Sequence, residues 1–261
     1  MKRQVESPES AARRIFGERA ARYTTSKTHT DPAVLARVAE LACADPNSRA
    51  LDIGTGTGHT AFAVAAAGAS VVGLDLTPQM LEEARQLRQK KGVCSVALIL
   101  GDAHALPFPN GTFQAVTCRR TAHHFSDITE ALREMHRVLH PRGKLVIDDR
   151  SVPEDDFVDK LMNELDTYHD ASHIRQYRSS EWQSMLQASG FGIETLQTYT
   201  QLRSISSHTK GVEAAAVQKI LEMISDLDEV QRKKLNLVRK QGQTYYSHWY
   251  ITVSAGKEGS S

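Results

Sequence analysis

The stretch Leu51-Asp52-Ile53-Gly54-Thr55-Gly56-Thr57-Gly58 decides the fold of this 261-residue chain. It joins a short apolar run at residues 50–53 to an alanine-rich segment with helical spacing, so its glycines lie in a strand-to-helix turn. Glycine allows such a turn to be sharp and lets the backbone approach a ligand closely. Predicted strands alternate with predicted helices after this point, which is typical of βαβ units and a parallel sheet covered on both faces.

The sequence pattern also predicts where the other elements lie. Further strands are expected at residues 70–75, 95–100, 113–119, 144–148, 191–200 and 244–253. Helices are expected within residues 1–30, at 31–43, 57–67, 78–91, 127–139, 154–169 and 180–189, and between residues 211 and 240. The pairs Asp31-Pro32 and Thr77-Pro78 each supply a cap and a first-turn proline, and Ser180-x-x-Gln183 matches a capping box. The order of these predicted elements indicates an N-terminal helical lid (1–45) and a core domain (46–261), in which residues 150–180 and 201–243 are lid or substrate-binding insertions.

Composition excludes several classes of protein. The chain has 32 Lys and Arg residues against 31 Asp and Glu residues, so no net field attracts nucleic acid or an anionic membrane. The longest apolar stretch, residues 61–74, is short, interrupted by glycine and closed by Asp75, which argues against an integral membrane protein. The first twenty residues lack the apolar run of a signal peptide, so a cytoplasmic protein is expected. Cys43, Cys94 and Cys118 lack C-x-x-C spacing and are expected to be buried reduced thiols.

Acidic residues follow three of the predicted strands. Asp52 precedes the first glycine, where it would repel a pyrophosphate but attract the sulfonium and ammonium groups of S-adenosylmethionine. Asp75 comes 21 positions after Gly54, close to the offset of about 20 residues at which a carboxylate reaches ribose hydroxyls. Asp102 follows the third strand. Because open α/β sheets bind ligands at the carboxyl ends of their strands, the three acids predict a site for a cationic nucleoside.

Four ordered motifs make the chain resemble the Rossmann-like (class I) S-adenosylmethionine-dependent methyltransferases, in particular the small-molecule enzymes of the ubiquinone/menaquinone-biosynthesis type. The motifs span residues 52–58, 73–80, 101–108 and 137–143, and the resemblance covers residues 49–150. Arg142 stands where the turn of this family usually has Gly-Gly. The resemblance implies an α/β three-layer sandwich: a mostly parallel, seven-stranded Rossmann-like sheet with an antiparallel terminal hairpin and helical lid elements.

The resemblance also assigns roles to residues of the cofactor site. It implies that Asp75 binds the ribose, that Leu76 packs on the adenine, and that Asp102 with Ala103 meets the adenine amino group. Tyr23 lies where related enzymes close the N-terminal segment over the methionine end. The predicted cofactor is S-adenosyl-L-methionine, with S-adenosyl-L-homocysteine as product. The predicted cofactor-binding residues are Tyr23, Asp52, Gly54, Thr55, Gly56, Asp75, Leu76, Met80, Asp102, Ala103 and Arg119.

The loop after the fourth strand holds the candidate catalytic residues. A histidine that titrates near neutrality is a natural base for a phenol or an activated carbon acid, so His123 and His124 are both candidates. Consecutive loop residues point in different directions, so at most one of them is expected to serve. The alternative is that one packs under the next helix and the other faces solvent. Arg119 and Arg120 either bind a substrate anion or stabilise the loop.

The acidic pair Asp148-Asp149 ends the fifth strand. Catechol-type methyltransferases use such a pair to hold magnesium together with an aspartate after the fourth strand. Arginines occupy that partner position here and oppose a divalent cation, so no metal is expected. Asp148 stays a candidate substrate contact.

The expected reaction is methyl transfer by in-line displacement to a small-molecule acceptor through an O, C or N atom. Nucleic acid is disfavoured as a substrate because no Asn/Asp-Pro-Pro-aromatic run follows the fourth strand. Alternatives left open are methylation of a protein or a complex-bound RNA, a cofactor-binding module without transferase activity, and a nicotinamide oxidoreductase. A homodimer is compatible with the sequence.

Overall fold

A mixed sheet organises residues 6–259, which are the part of the chain that the computed structural model describes. The strands are β1 (Arg49–Ile53), β2 (Ser70–Asp75), β3 (Val96–Leu100), β4 (Phe113–Arg119), β5 (Leu139–Val152), β6 (Tyr177–Arg178), β7 (Phe191–Ser204), β8 (Val238–Lys240) and β9 (Gln243–Lys257). The helices are α1 (Pro8–Tyr23), α2 (Pro32–Leu41), α3 (His59–Ala66), α4 (Pro78–Lys91), α5 (Ile128–Val138), α6 (Asp156–His169), α7 (Ser179–Ala188), α8 (Ile205–His208), α9 (Ala214–Ser225) and α10 (Glu229–Lys234), with a 3-10 turn at Ala122–His124.

Seven strands form the main path of the sheet, in the order β3-β2-β1-β4-β5-β9-β7. The pairs among β1 to β5 are parallel, whereas β9 runs antiparallel to β5 and to β7. This confirms the predicted Rossmann-like sheet with its antiparallel terminal hairpin. Two short strands extend it, since β6 pairs with β5 and β8 pairs with β9.

Alternate residues of the strands bury their side chains in different cores, one on each face of the sheet. In β1, Leu51 and Ile53 enter a core that also contains residues of α5 and α7, while Ala50 enters the core beneath α2 and α3. This period of two is the geometry of a pleated strand, and burial on both faces explains why the strands read as apolar runs. A third core joins α6 and α9 to the ends of β5 and β9, so the late insertion packs on the sheet.

Helix boundaries confirm one predicted cap and correct another. Asp31 caps α2, because its Oδ1 accepts from the amides of Ala33 (3.0 Å) and Val34 (3.3 Å). The capping box predicted at Ser180 is wrong. Helix α7 begins at Ser179, and the amide of its cap residue Arg178 donates to Oε2 of Glu181 at 2.8 Å. The hydroxyl of Ser180 instead donates to Glu154 at 2.7 Å, so a tertiary contact takes the side chain away from its own helix.

Pairing with β9 changes the predicted ends of several elements. Strands β5, β7 and β9 are longer than the sequence pattern indicated, because each continues as long as it finds a hydrogen-bonded neighbour. The prediction of helix through residue 240 is wrong at Val238–Lys240, which forms an edge strand on β9.

Cys43 and Cys94 are exposed, and only Cys118 is buried as expected; all three are free. Within residues 6–259 no helix is long and apolar enough to cross a membrane.

Candidate active site

A cavity opens at the carboxyl ends of β1, β2, β3 and β4, and it contains about 950 Å³ of empty space counted out to its mouth. This is the edge of the sheet at which open α/β folds bind ligands. Helix α1 closes one side through Ala12, Phe16 and Tyr23. Ten of the eleven predicted cofactor-binding residues line it: Tyr23, Gly54, Thr55, Gly56, Asp75, Leu76, Met80, Asp102, Ala103 and Arg119.

The glycine loop forms the floor of this cavity. Gly54 and Gly56 have φ values of +63° and +53°, in the left-handed region that L side chains rarely adopt. A Cβ atom at Gly54 would lie 2.4 Å from Oγ1 of Thr121, so this glycine is required by packing. A Cβ atom at Gly56 would have no protein atom within 4 Å, because it would point into the open cavity. Both glycines are therefore required by their backbone conformation, and Gly54 is required by packing as well.

Asp75 ties the second strand to the glycine loop and faces the cavity. Its Oδ2 accepts from the Gly56 amide at 2.7 Å and its Oδ1 accepts from the Thr77 amide at 2.9 Å. Burial raises the pKa of this carboxyl, and the two backbone amides act in the opposite direction. Each carboxylate oxygen keeps a further lone pair, so the group can accept hydrogen bonds from vicinal hydroxyls of a ligand.

Asp52 is the predicted cofactor contact that the structure places behind the wall of the cavity. Its carboxylate accepts from the hydroxyls of Thr55 and Thr117, each at 2.7 Å. Burial raises the pKa of Asp52 to about 6. The expected direct attraction between this acid and a sulfonium does not fit the geometry, because the side chain turns inward to hold the loop from below. Asp52 thus positions Thr55, which does line the cavity.

The far end of the cavity, at β2 and β3, is apolar with one acidic edge. Leu76, Met80 and Ala103 supply the apolar surface. Asp102 lies beside them, and its Oδ1 accepts from the His104 amide at 2.9 Å and lies 2.7 Å from the His104 Nδ1. An apolar slot with a carboxylate at its rim can hold a flat ring with an exocyclic amino group.

The near end of the cavity is cationic. Arg119 donates from Nε to the Thr60 hydroxyl and from Nη2 to the His29 carbonyl, both at 2.8 Å. Its remaining nitrogen, Nη1, is buried without a hydrogen-bond partner in residues 6–259. The ring of Tyr23 packs edge-on against His29, with centroids 4.7 Å apart. A carboxylate entering here would satisfy the free guanidinium N–H.

A second cavity of about 580 Å³, again counted to its mouth, adjoins the first. The two share five lining residues: Phe16, Tyr23, His29, Arg120 and His124. The other residues of the second wall are Thr28, His123, Arg150, Asp166, His169, Asp170, His173, Arg203 and Tyr250. Most of these lie in the segments predicted as lids. Sequence reasoning did not find Arg150, Asp166, Arg203 or Tyr250, which carry no motif of their own.

His123 forms a hydrogen-bonded pair with Asp149. The Nδ1 of His123 lies 2.6 Å from Oδ1 of Asp149, and its backbone amide donates to Oδ2 at 3.1 Å. Burial raises the pKa of Asp149, but the adjacent imidazole outweighs this and holds it below the ordinary value. An ionised carboxylate fixes the proton on Nδ1, which leaves Nε2 as a base. Within residues 6–259 the ring of His123 makes its hydrogen bond through Nδ1, and His123 lines the second cavity.

His124 has a different environment. Its Nδ1 lies 3.1 Å from the Ser172 carbonyl oxygen, and its ring packs edge-on against Phe16 with centroids 4.8 Å apart. Burial, and next the neighbouring His123, lower the pKa of His124 to about 4. A group that binds a proton so weakly is a poor general base near neutral pH. Of the two histidines, only His123 has a carboxylate partner.

The acidic pair at the end of β5 is split between two tasks. Asp148 faces Arg120, with Oδ1 3.1 Å from Nε, and it accepts from the hydroxyls of Tyr199 and Thr252, each at 2.9 Å. Asp148 lines neither cavity, so this geometry does not support its candidate role as a substrate contact. Within residues 6–259, no three His, Cys, Asp or Glu side chains are grouped as a metal site.

Several known proteins with similar sequences and structures are named as methyltransferases. A family model described as a methyltransferase domain matches residues 51–147. An uncharacterised methyltransferase of Bacillus subtilis, YcgJ, is 38% identical over 184 residues, covering 70% of this chain and 73% of that protein. Its crystal structure superposes with a TM-score of 0.82 at 32% identity, covering 87% of this chain and 99% of that one. A demethylmenaquinone methyltransferase of Thermus thermophilus is 43% identical over 113 residues, or 42% of this chain and 51% of that enzyme.

These matches agree with the site geometry. The family model covers the glycine loop, Asp75, Asp102 and the histidine loop, by which we mean residues 120–125 after β4. These parts all contribute to the wall of the first cavity. The similarity to YcgJ extends beyond this region to most of both chains. The chain therefore belongs to the Rossmann-like, class I family of S-adenosyl-L-methionine-dependent methyltransferases.

Proposed function

We propose that the protein transfers the methyl group of S-adenosyl-L-methionine to a small molecule bound in the second cavity, with His123 as the general base. The observation that carries the proposal is the His123–Asp149 pair, because His123 lines the second cavity beside the wall shared with the first and Asp149 holds its ring from behind. A donor in one cavity and an acceptor in the other would meet at the shared wall. A paired histidine is the group that a hydroxyl or activated-carbon acceptor needs there.

The residues of the first cavity fit the three parts of the cofactor. Asp75 would accept from the ribose hydroxyls, since it faces the cavity and keeps free lone pairs. Leu76, Met80 and Ala103 would pack against the adenine, with Asp102 at its amino group. Arg119 would bind the methionine carboxylate through its unpartnered Nη1. Tyr23 and α1 would cover this end.

When bound, the cofactor supplies an electrophilic methyl carbon attached to a sulfonium. His123 would take the proton of the acceptor on Nε2 as the acceptor receives the methyl group, and S-adenosyl-L-homocysteine would be the leaving product. Asp149 stabilises the resulting imidazolium and keeps the ring in the tautomer that exposes Nε2. Segments 1–45, 150–180 and 201–243 would act as lid and acceptor-binding elements, since their described residues contribute most of the second wall.

Binding of the product analogue and methyl transfer test this proposal separately. Calorimetry with S-adenosyl-L-homocysteine is expected to show binding that Asp75→Ala weakens by roughly 10–100-fold, because hydrogen bonds to a charged group contribute about 1.5–3 kcal/mol. Asp45→Ala is the matched control, since this acid caps a loop before β1 outside the cavity. Labelled methyl transfer to a panel of phenols, carbon acids and amines then tests turnover. Binding without transfer to any acceptor would favour a cofactor-binding module instead.

A further inference from the structure

The second cavity is walled by a polar face of the sheet. Arg150 of β5 lies opposite Tyr250 of β9, and Arg203 of β7 lies opposite Tyr246 of β9. Opposed residues of antiparallel strands share a face, and residues 246 and 250 share one by the period of two along a strand. Arg150, Arg203 and Tyr250 therefore project from one face of this sheet, and all three line the cavity.

The charges on this wall do not cancel. Its two carboxylates are already paired, since Asp166 Oδ2 lies 2.8 Å from Arg150 and Asp170 Oδ2 lies 3.6 Å from Arg19. Arg120 is likewise paired with Asp148. Arg203 has no carboxylate within 4.0 Å in the described part of the chain, and it donates only to the hydroxyl of Thr28. One guanidinium on the wall is therefore uncompensated.

Buried polar atoms without partners lie around the same space. The hydroxyl of Tyr250 and Nδ1 of His169 make no hydrogen bond within residues 6–259, although Tyr250 is 0% exposed. Leaving a buried polar atom unpaired is costly, so such atoms normally meet a ligand or a water. Burial, and next the charges of Arg119, Arg120 and Arg203, hold the pKa of His29 well below its ordinary value.

We propose that the methyl acceptor carries an anionic group, a carboxylate or a phosphate, that pairs with Arg203 and accepts from the Tyr250 hydroxyl. The inference rests on the proposed function, because it places the acceptor in the second cavity. An anion supplies the charge that Arg203 lacks and the acceptor atoms that the unpartnered donor needs. An apolar acceptor would leave the charge of Arg203 uncompensated and the Tyr250 hydroxyl without a hydrogen-bond partner. The acceptor is thereby oriented with its anionic end on the sheet and its reacting end toward His123.

Small anions and their neutral counterparts test this pairing in protein saturated with S-adenosyl-L-homocysteine. The probes are phenyl phosphate and benzoate against phenol and benzyl alcohol, with binding measured by calorimetry. The anions are expected to bind at least about 10-fold more tightly than the neutral probes, and the better of the two anions identifies the group. Arg203→Gln is expected to weaken anion binding by roughly 10–100-fold. Arg142→Gln is the matched control, because this exposed arginine lies at the other end of β5.

Tyr250→Phe gives a second variant that keeps the ring under Arg120, whose guanidinium carbon lies 3.7 Å from the ring centroid. It is expected to weaken anion binding several-fold, roughly 3–10-fold, without changing the binding of phenol. If Arg203→Gln does not fold, the wild-type preference and Tyr250→Phe decide the question. Equal binding of charged and neutral probes, or an equal loss in Arg142→Gln, overturns the inference while the proposed function stands. Absence of S-adenosyl-L-homocysteine binding overturns both.

Discussion

Replacing Asp149 with Asn tests how His123 works. The carboxylate accepts from three N–H groups: the imidazole of His123 at 2.6 Å, the His123 amide at 3.1 Å and the Arg150 amide at 2.7 Å. An Asn side chain has one acceptor oxygen, so in either orientation its NH₂ group faces at least one of these N–H groups. The substitution also removes the charge that stabilises an imidazolium. The first effect disfavours the tautomer with Nε2 free, and the second lowers the affinity of Nε2 for a proton.

The expected loss follows from these contacts. General-base catalysis contributes about 10²–10⁴-fold in rate, and disrupting the carboxylate that orients a catalytic histidine costs toward the upper end of that range. Asp149→Asn is therefore expected to lower kcat by roughly 10²–10⁴-fold, equivalent to about 3–5 kcal/mol in activation free energy. Affinity for S-adenosyl-L-homocysteine is expected to stay nearly unchanged, because Asp149 does not line the first cavity.

The assay is single-turnover transfer of labelled methyl to the acceptor that reacts fastest in the panel. His123→Ala is expected to show a similar loss, and the double variant no further loss, because groups that act as a unit are not additive. His124→Ala is expected to keep most of the turnover. His140→Asn serves as the histidine control, since it lies at the start of β5 and bonds only the backbone of Arg142 in the described residues. If Asp149→Asn and His123→Ala both turn over like the wild type, neither residue takes part in proton transfer and catalysis is alignment alone.

Three further predictions concern the loop and the buried titratable groups. Gly56→Val is expected to fold but to lose S-adenosyl-L-homocysteine binding, since its side chain enters the open cavity. Gly54→Val is expected to lower Tm strongly, because its side chain meets Thr121. Calorimetry measures the first effect and thermal melts measure the second. The pKa of His124 is about 4 in the folded protein, below its ordinary value, so its contribution to stability is present above about pH 6.5 and is lost as the pH falls toward 4. Urea unfolding across this range is expected to show that the free energy of unfolding depends less on pH in His124→Asn than in the wild type. The pKa of Asp52 is raised to about 6, so its contribution to stability is present below about pH 4 and is lost as the pH rises through 6. The free energy of unfolding of Asp52→Asn is expected to rise by roughly 2–3 kcal/mol relative to the wild type between pH 4 and 7. A difference that does not depend on pH would contradict this.

The parts of the site that sequence predicted lie within single strand-to-loop connections. The spacing from Gly54 to Asp75 spans one βαβ unit, and the parallel register of β1 and β2 brings the two ends together so that the Gly56 amide reaches Asp75. A motif of this kind is readable because local chain geometry fixes the distance between its residues. The apolar runs likewise predicted the strands, since burial on both faces requires them.

The orientation of the acidic side chains was the first feature that only packing decided. Asp52 lies on the predicted strand end, but Thr55 and Thr117 draw its carboxylate behind the cavity wall. Asp148 and Asp149 are adjacent in sequence and face different partners, because successive residues of a strand point to opposite faces. Sequence places such residues at the correct end of the sheet without stating which oxygen atom faces the ligand.

Contacts between distant segments of the chain were the second feature that only the tertiary structure decided. His123 meets Asp149 because β4 and β5 are paired, and Arg203 reaches the second cavity because β9 inserts between β5 and β7. Sequence determined the sheet, the cofactor loop and the histidine loop, because each depends on neighbours in the chain. Tertiary structure decided which histidine has a carboxylate and which arginine lacks one, because those depend on strand register and on helices that pack from remote parts of the chain.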